Sequence, residues 1–356
     1  LQKMRVLKKA ATLFLAAAML LSAASCSGDQ TWSVKTSEET LPIGVYIYNT
    51  YAAYQEAYSQ TLDTSSSSTS SSLDVLSKTI EEKPATEWIG NRALELCRLN
   101  LVVNQKFNEM GLSFTDEETE SVQNDVNTAW NQNKSFLESL GIAKESFASA
   151  YGWYSAKNSK LFEAIYGRDG TNALSDDEVE SYFTENYTHF GWFSKALTKT
   201  EDGQNSNMTD EEIEEVQKQF EEYAEQINNG GQSIEDVSSN YTTAEGLEKN
   251  PYSEYTEQVG NTSLNEELKN AITDLENSKA VAVKSGNYYY LIYKYNIQDS
   301  VSQLSEDNAY MNVVADMKGE EFADTIQSEA EALVIETNDG ALQKYNPSRI
   351  ENELNK

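Results

Sequence analysis

The chain has 356 residues, enough for about two domains, and carries 58 Asp and Glu against 27 Lys and Arg, a formal charge of −31. Such a surface repels nucleic acid and anionic lipid headgroups, so neither is expected as a partner. A single histidine, His189, and two cysteines exclude His-rich zinc sites and any mechanism needing two histidines. No P-loop or dinucleotide-binding glycine fingerprint is present, and no metal or cofactor is expected.

Met4-Arg5-Val6-Leu7-Lys8-Lys9 is a short basic stretch, and residues 10–21 are apolar apart from Thr12. This is the layout of a secretory signal, and the run is too short for a permanent membrane span, which needs ~20 apolar residues. It leads into Ala23-Ala24-Ser25-Cys26, which resembles a bacterial lipobox, with Ala23 where most lipoboxes carry Leu. The resemblance implies residues 1–25 as signal peptide and a lipid of the palmitate kind on Cys26, which becomes the mature N-terminus. The protein is then extracytoplasmic and held to the membrane through lipid, two acyl chains giving stable attachment. An ordinary secretory signal is the alternative. Cys97 is left without a disulfide partner, and its place on an apolar helical face points to a buried structural thiol rather than a reactive one.

Residues 26–40 read as a tether followed by a short strand, Trp32–Lys35. Pro42 sits at the first turn of a helix on which Ile43, Tyr46, Ile47, Tyr54, Ala57 and Tyr58 recur at helical spacing. Residues 63–72 are almost pure Ser and Thr and read as an insertion that buries no apolar surface. Three consecutive helices follow: one from Ala85 to Gly111, one behind a capping box at Thr115-Asp-Glu-Glu118, and one from about Lys144 to Tyr166. Short connections make them antiparallel neighbours, a helical lobe over residues 41–174.

The next region, residues 175–298, opens with a second capping box, Ser175-Asp-Asp-Glu178, and switches to strand character at His189–Leu197. An acidic, Asn-rich loop leads to a third box, Thr209-Asp-Glu-Glu212, and an amphipathic helix closed by Gly230-Gly231. Ser233 to Asn240 reads as a brief helix, and Ser263-Leu-Asn-Glu266 caps another. Ala280–Lys284 and Tyr288–Tyr295 flank a Ser-Gly-Asn turn, a hairpin signal. Residues 299–356 hold an acidic helix over 305–332, a short strand at Leu333–Thr337 and a small terminal helix.

This order of elements resembles the extracytoplasmic foldases of the PrsA and SurA families, in which a parvulin-type peptidyl-prolyl isomerase domain is inserted into a helical chaperone lobe. The similarity rests on Leu174-Ser-Asp-Asp-Glu-Val-Glu-Ser-Tyr-Phe-Thr-Glu-Asn186, on Gln226-Ile-Asn-Asn-Gly-Gly-Gln-Ser-Ile-Glu-Asp-Val237, and on the hairpin ending Tyr289–Tyr295. It implies an α+β fold, with 41–174 and 299–356 together forming a lobe like the SurA N-terminal one. It implies unfolded or newly secreted polypeptides as partners. An active parvulin carries one histidine on its first strand and another on its last. Here Tyr289 or Tyr290 stands at the second position, His189 is out of register at the first, and no catalytic residue is assigned. Isomerase activity is therefore expected to be weak or lost. The alternatives are an active peptidyl-prolyl isomerase and a solute-binding or structural surface lipoprotein.

Two further features have plain explanations. The carboxylate clusters at Asp116–Glu118, Asp176–Glu178 and Asp210–Glu215 each follow a Ser or Thr N-cap, where negative charge favours the helix dipole. His189 reads as a surface or strand-end residue. Trp130, Trp153, Tyr154, Trp192 and Phe193 are expected in the core, with a client groove as the alternative, and some tyrosines of Tyr288–Tyr295 are expected to be exposed.

Overall fold

The computed structural model describes residues 31–62, 74–201 and 204–356. The expected signal segment 1–25, the proposed lipid site Cys26 and the Ser-rich stretch 63–72 lie outside them. The chain is α+β and falls into two units with separate cores, one within Leu1–Ala164 and Glu321–Lys356, the other Ile165–Glu320. Among the described residues no helix is long and apolar enough to cross a membrane.

In the first unit β1 (Trp32–Lys35) pairs antiparallel with β2 (Thr40–Pro42), Val34 opposite Leu41. Pro42 closes β2 and its fixed φ of −67° suits the extended entry to helix α1 (Ile43–Thr61). Ile43, Val45, Tyr46, Ile47, Ala53 and Tyr54 are all buried, so α1 forms the middle of this core. A two-stranded ribbon, β3 (Thr79–Ile80) with β4 (Lys83–Pro84), leads into α2 (Ala85–Glu109). There Asn49 Nδ2 donates to Cys97 Sγ at 3.3 Å. Complete burial pushes the Cys97 thiol up to about 12 against that hydrogen bond, the state of an inert structural thiol.

Helix α3 (Asp116–Leu140) starts at the Thr115 box, where Glu118 N–H donates to Thr115 Oγ1 at 3.2 Å and Thr115 N–H returns a bond to Glu118 Oε2 at 2.6 Å. It ends at Gly141, whose φ of +90° is open to glycine. The following helix is not uniform. α4 (Lys144–Phe147) passes through a π-helical stretch, Ala148–Trp153, into α5 (Tyr154–Tyr166). Gly152 faces α3 so closely that a Cβ there would lie 2.3 Å from Val126 Cγ2. Within this widened turn Tyr151 is exposed.

The second unit begins with α6 (Asp176–Asn186) behind the Ser175 box, then β5 (Thr188–Ala196). Where a loop is expected, β6 (Thr198–Glu201) and β7 (Gln204–Asn207) form a ribbon. Helices α7 (Asp210–Asn228) and α8 (Ile234–Ala244) follow, capped by Thr209 and Ser233. Strand β8 (Ser253–Glu257) has no counterpart in the sequence reading. The cap of α9 (Glu266–Asp274) is Asn265 rather than Ser263, because Asn265 Oδ1 is the group that accepts from Leu268 N–H, at 3.1 Å. β9 (Lys279–Ser285) and β10 (Tyr288–Lys294) form the expected hairpin, with Gly286 at φ +55°. The sheet is antiparallel throughout, in the order β8-β5-β10-β9.

A 3-10 stretch, Ile297–Ser305, precedes the long helix α10 (Asp307–Ala332). The chain then returns to the first core. β11 (Glu336–Thr337) adds to β1 with Thr337 opposite Val34, and α11 (Asp339–Lys344) and α12 (Pro347–Leu354) follow. Ile350 of α12 is buried, and Glu351 Oε1 accepts from Tyr54 Oη, Val75 N–H and Leu76 N–H at 3.1, 2.8 and 3.1 Å.

Gly152→Ala is expected to lower stability by about 1–3 kcal/mol, since the new methyl must displace Val126. Thermal unfolding followed by circular dichroism checks this, and Val126→Ala in the same chain should restore part of the loss.

Candidate functional site

Strand β5 is hydrogen-bonded on both edges, and its side chains alternate between two faces. Towards α7 and α8 points Phe193, fully buried against Phe220 and Tyr241 at ring distances of 5.5 and 5.0 Å. Towards α9 points Phe190, which packs with Leu268, Ile272 and Ile292, and beside it Trp192.

On this second face the rings run in a continuous row across three strands. Tyr288 and Tyr290 lie 6.1 Å apart, Tyr290 and Trp192 5.6 Å, and Trp192 and Tyr255 5.2 Å. Both ends are open, Tyr288 being 45% and Tyr255 36% exposed. Trp192 stands opposite Ser253, so the β8 residue paired with it is too small to cover the indole. At the Tyr255 end the row enters a cleft of about 530 Å³. Trp192, Tyr255 and Leu264 give it apolar walls, and Tyr187, Glu257, Gln258 and Asp316 supply its polar groups. Tyr187 Oη donates to Asp316 Oδ2, which also accepts from Gln258 Nε2 at 2.8 Å. Burial, and then the Asp316 carboxylate, raise the Tyr187 phenol, which stays protonated as a donor.

The opposite face of β5 carries a polar cluster. His189 stands at the end of the strand, one of the two places expected for it, but is buried there rather than on the surface. Its Nε2 lies 2.7 Å from Glu254 Oε1 and its Nδ1 2.7 Å from Ser300 Oγ, and its ring stacks on Tyr295 at 4.2 Å. Tyr252 crosses Gly191 to reach the same place, where a Cβ on Gly191 would lie 2.4 Å from Tyr252 Oη. That hydroxyl is 3.0 Å from Glu254 Oε2 and 2.5 Å from Tyr295 Oη, and Tyr295 Oη donates to Glu235 Oε1 at 2.7 Å. Three contacts share two hydroxyl protons, so only two are hydrogen bonds while both carboxylates are ionised. Burial alone would raise the Glu235 carboxyl, but the bond from Tyr295 and its own helix-terminus contacts hold it below the ordinary range. Burial, the contact with the Tyr252 hydroxyl and the bond that Tyr295 donates to the Glu235 carboxylate push the Tyr295 phenol well above its ordinary value.

The five aromatics named from sequence do not form one groove. Trp130, Trp153 and Tyr154 belong to the first unit, where Trp130 is buried. Phe193 and Trp192 belong to the second and point to opposite faces, so only Trp192 lines the cleft. Tyr289 is buried against Phe220 at 5.7 Å, while Tyr290 joins the aromatic row. The clustered carboxylates act as caps, and among the described residues no group of His, Cys, Asp and Glu is arranged to hold a metal. Cys26 lies outside the described residues. Tyr255, Glu257, Gln258 and Asp316 are unforeseen, because the segment Ser253-Glu-Tyr-Thr-Glu257 has no apolar alternation that marks it as a strand.

No protein-family model matches this chain, and no curated protein matches it in sequence. Among solved structures it is similar to the foldase protein PrsA from Lactococcus lactis, at 12% identity and a TM-score of 0.38, over 89% of this chain and 99% of that one. It is also similar to PrsA from Bacillus subtilis, at 15% identity and a TM-score of 0.27, over 75% and 85% of the two chains. At these TM-scores neither likeness decides fold or function.

Tyr295→Phe removes the hydroxyl that bonds Glu235, so the Glu235 carboxyl is expected to titrate at higher pH than in the parent, as read by side-chain NMR. In the parent, a depressed carboxyl contributes stability that is present above its ordinary range and lost as pH falls through the folded value. The variant should therefore lose stability at neutral pH and show a shallower loss in acid.

Proposed function

We propose that this chain is an extracytoplasmic protein-folding factor, held to the membrane by lipid on Cys26, whose second unit grips segments of unfolded exported polypeptides. The observation that carries this reading is the open aromatic row from Tyr288 to Tyr255 and the cleft it enters. Exposed rings on a rigid sheet offer large apolar contact at little entropic cost, and hydrogen-bonding groups at the rim accept a peptide backbone. The volume suits a few residues of an extended chain, not a folded partner. The order of elements that resembles the PrsA and SurA foldases points the same way.

The same reading makes the protein a holdase more than an isomerase. The residues lining the cleft include no histidine, and His189 is engaged with Glu254 and Ser300 on the opposite face of the sheet. A parvulin-like role for the second unit thus survives in binding.

The test pairs two assays on the full chain: suppression of aggregation of a denatured protein, and cis–trans isomerisation of a proline tetrapeptide. Suppression without turnover is expected, and Trp192→Ala should weaken it, with a loss of about tenfold in client affinity. Absence of suppression would overturn the folding-factor reading, and rapid turnover would make the protein an isomerase. For the anchor, Cys26→Ser should abolish incorporation of labelled palmitate and release the protein from membranes.

A further inference from the structure

The cleft reading leaves open what kind of segment it favours, and the charges around it are one-sided. The charged side chains lining it are Glu257 and Asp316, with no Lys or Arg among the lining residues. Glu257, half-buried at the end of β8, makes no ion pair or side-chain hydrogen bond among the described residues. Among the described residues Asp316 is bonded only through Oδ2, by the neutral donors Tyr187 and Gln258, so no cation pairs with it there. Some carboxylates elsewhere in the same unit do have cations: Glu212 pairs with Lys199 and Glu245 with Lys195, each at 2.7 Å. Two carboxylates without cationic partners beside the half-buried Trp192 and the exposed Tyr255 suit a cation with an apolar stem.

We infer that the cleft selects client segments in which arginine neighbours an apolar or aromatic residue. A guanidinium is planar, so it stacks on Trp192 or Tyr255 while its N–H fork reaches the Glu257 or Asp316 carboxylate. A lysine gains the charge but not the stacked fork and ranks second. An acidic segment meets two like charges and is refused, which separates positively charged exported chains from the protein's own acidic surface. The inference rests on the cleft being the client site.

Fluorescence anisotropy on the full chain tests it, with two labelled peptides of one sequence, Ala-Phe-Arg-Pro-Arg-Phe-Ala, the second carrying citrulline for both arginines. Citrulline keeps the shape and removes the charge. The arginine peptide is expected to bind about tenfold tighter, and the difference should shrink at high salt. In Glu257→Gln/Asp316→Asn the difference between the two peptides should fall to about twofold. Equal binding of the two peptides to the parent overturns the charge preference and leaves the cleft reading standing. A preference that survives in the double variant assigns it to the overall charge and overturns the site. Binding of neither peptide removes the cleft reading and the preference with it.

Discussion

Strand β5 must bury both of its faces, and the second unit is arranged around that requirement. Phe190 and Phe193 sit three residues apart, point to opposite sides and are both fully buried. Each is worth about 1.5–3 kcal/mol out of water, so neither face is left open. Helices α7 and α8 cover one side and α9 the other, while β8 and β10 occupy the two hydrogen-bonding edges. Between His189 and Phe193, Trp192 alone is left partly open. That partly open ring lies at the margin of the α9 core and opposite the small Ser253.

The far face shows how a polar group is buried beside that core at tolerable cost. His189, Tyr252, Tyr295, Glu235, Glu254 and Ser300 satisfy one another in a chain of contacts between 2.5 and 3.0 Å. The chain closes only because residue 191 is glycine, which lets the Tyr252 ring lie flat across the strand. An unpaired polar group there would cost about 1–3 kcal/mol. The cluster gives His189 a structural occupation, joining β5 to β8 and to the 3-10 stretch after β10, and keeps it away from the cleft.

The two faces differ in character. One is closed, an aromatic core flanked by a self-satisfied polar cluster. The other is aromatic, partly open and rimmed by carboxylates that lack cationic partners. The proposed capture of an extended segment draws on the second face, through its exposed rings and accessible hydrogen-bonding groups.

Local signals in the sequence determined the elements. The boxes at Thr115, Ser175 and Thr209, the stops at Gly111 and Gly141, and the hairpin at Gly286 depend on neighbours within a few residues, and each forms as read. The burial of Cys97 follows from its helical phase in the same way. Contacts between distant segments decided the rest. Strand β8 exists because the free edge of β5 accepts a polar segment that carries no strand pattern of its own. The π turn lies where Gly152 meets Val126 of another helix. Asp316 reaches Tyr187 and Gln258 across 129 and 58 residues of chain, and Trp192 is left open by the small partner at Ser253. Capping and turn chemistry act through bonds between near neighbours and are written in order along the chain. A cleft is a relation between surfaces, and only the packed sheet and helices bring its walls together.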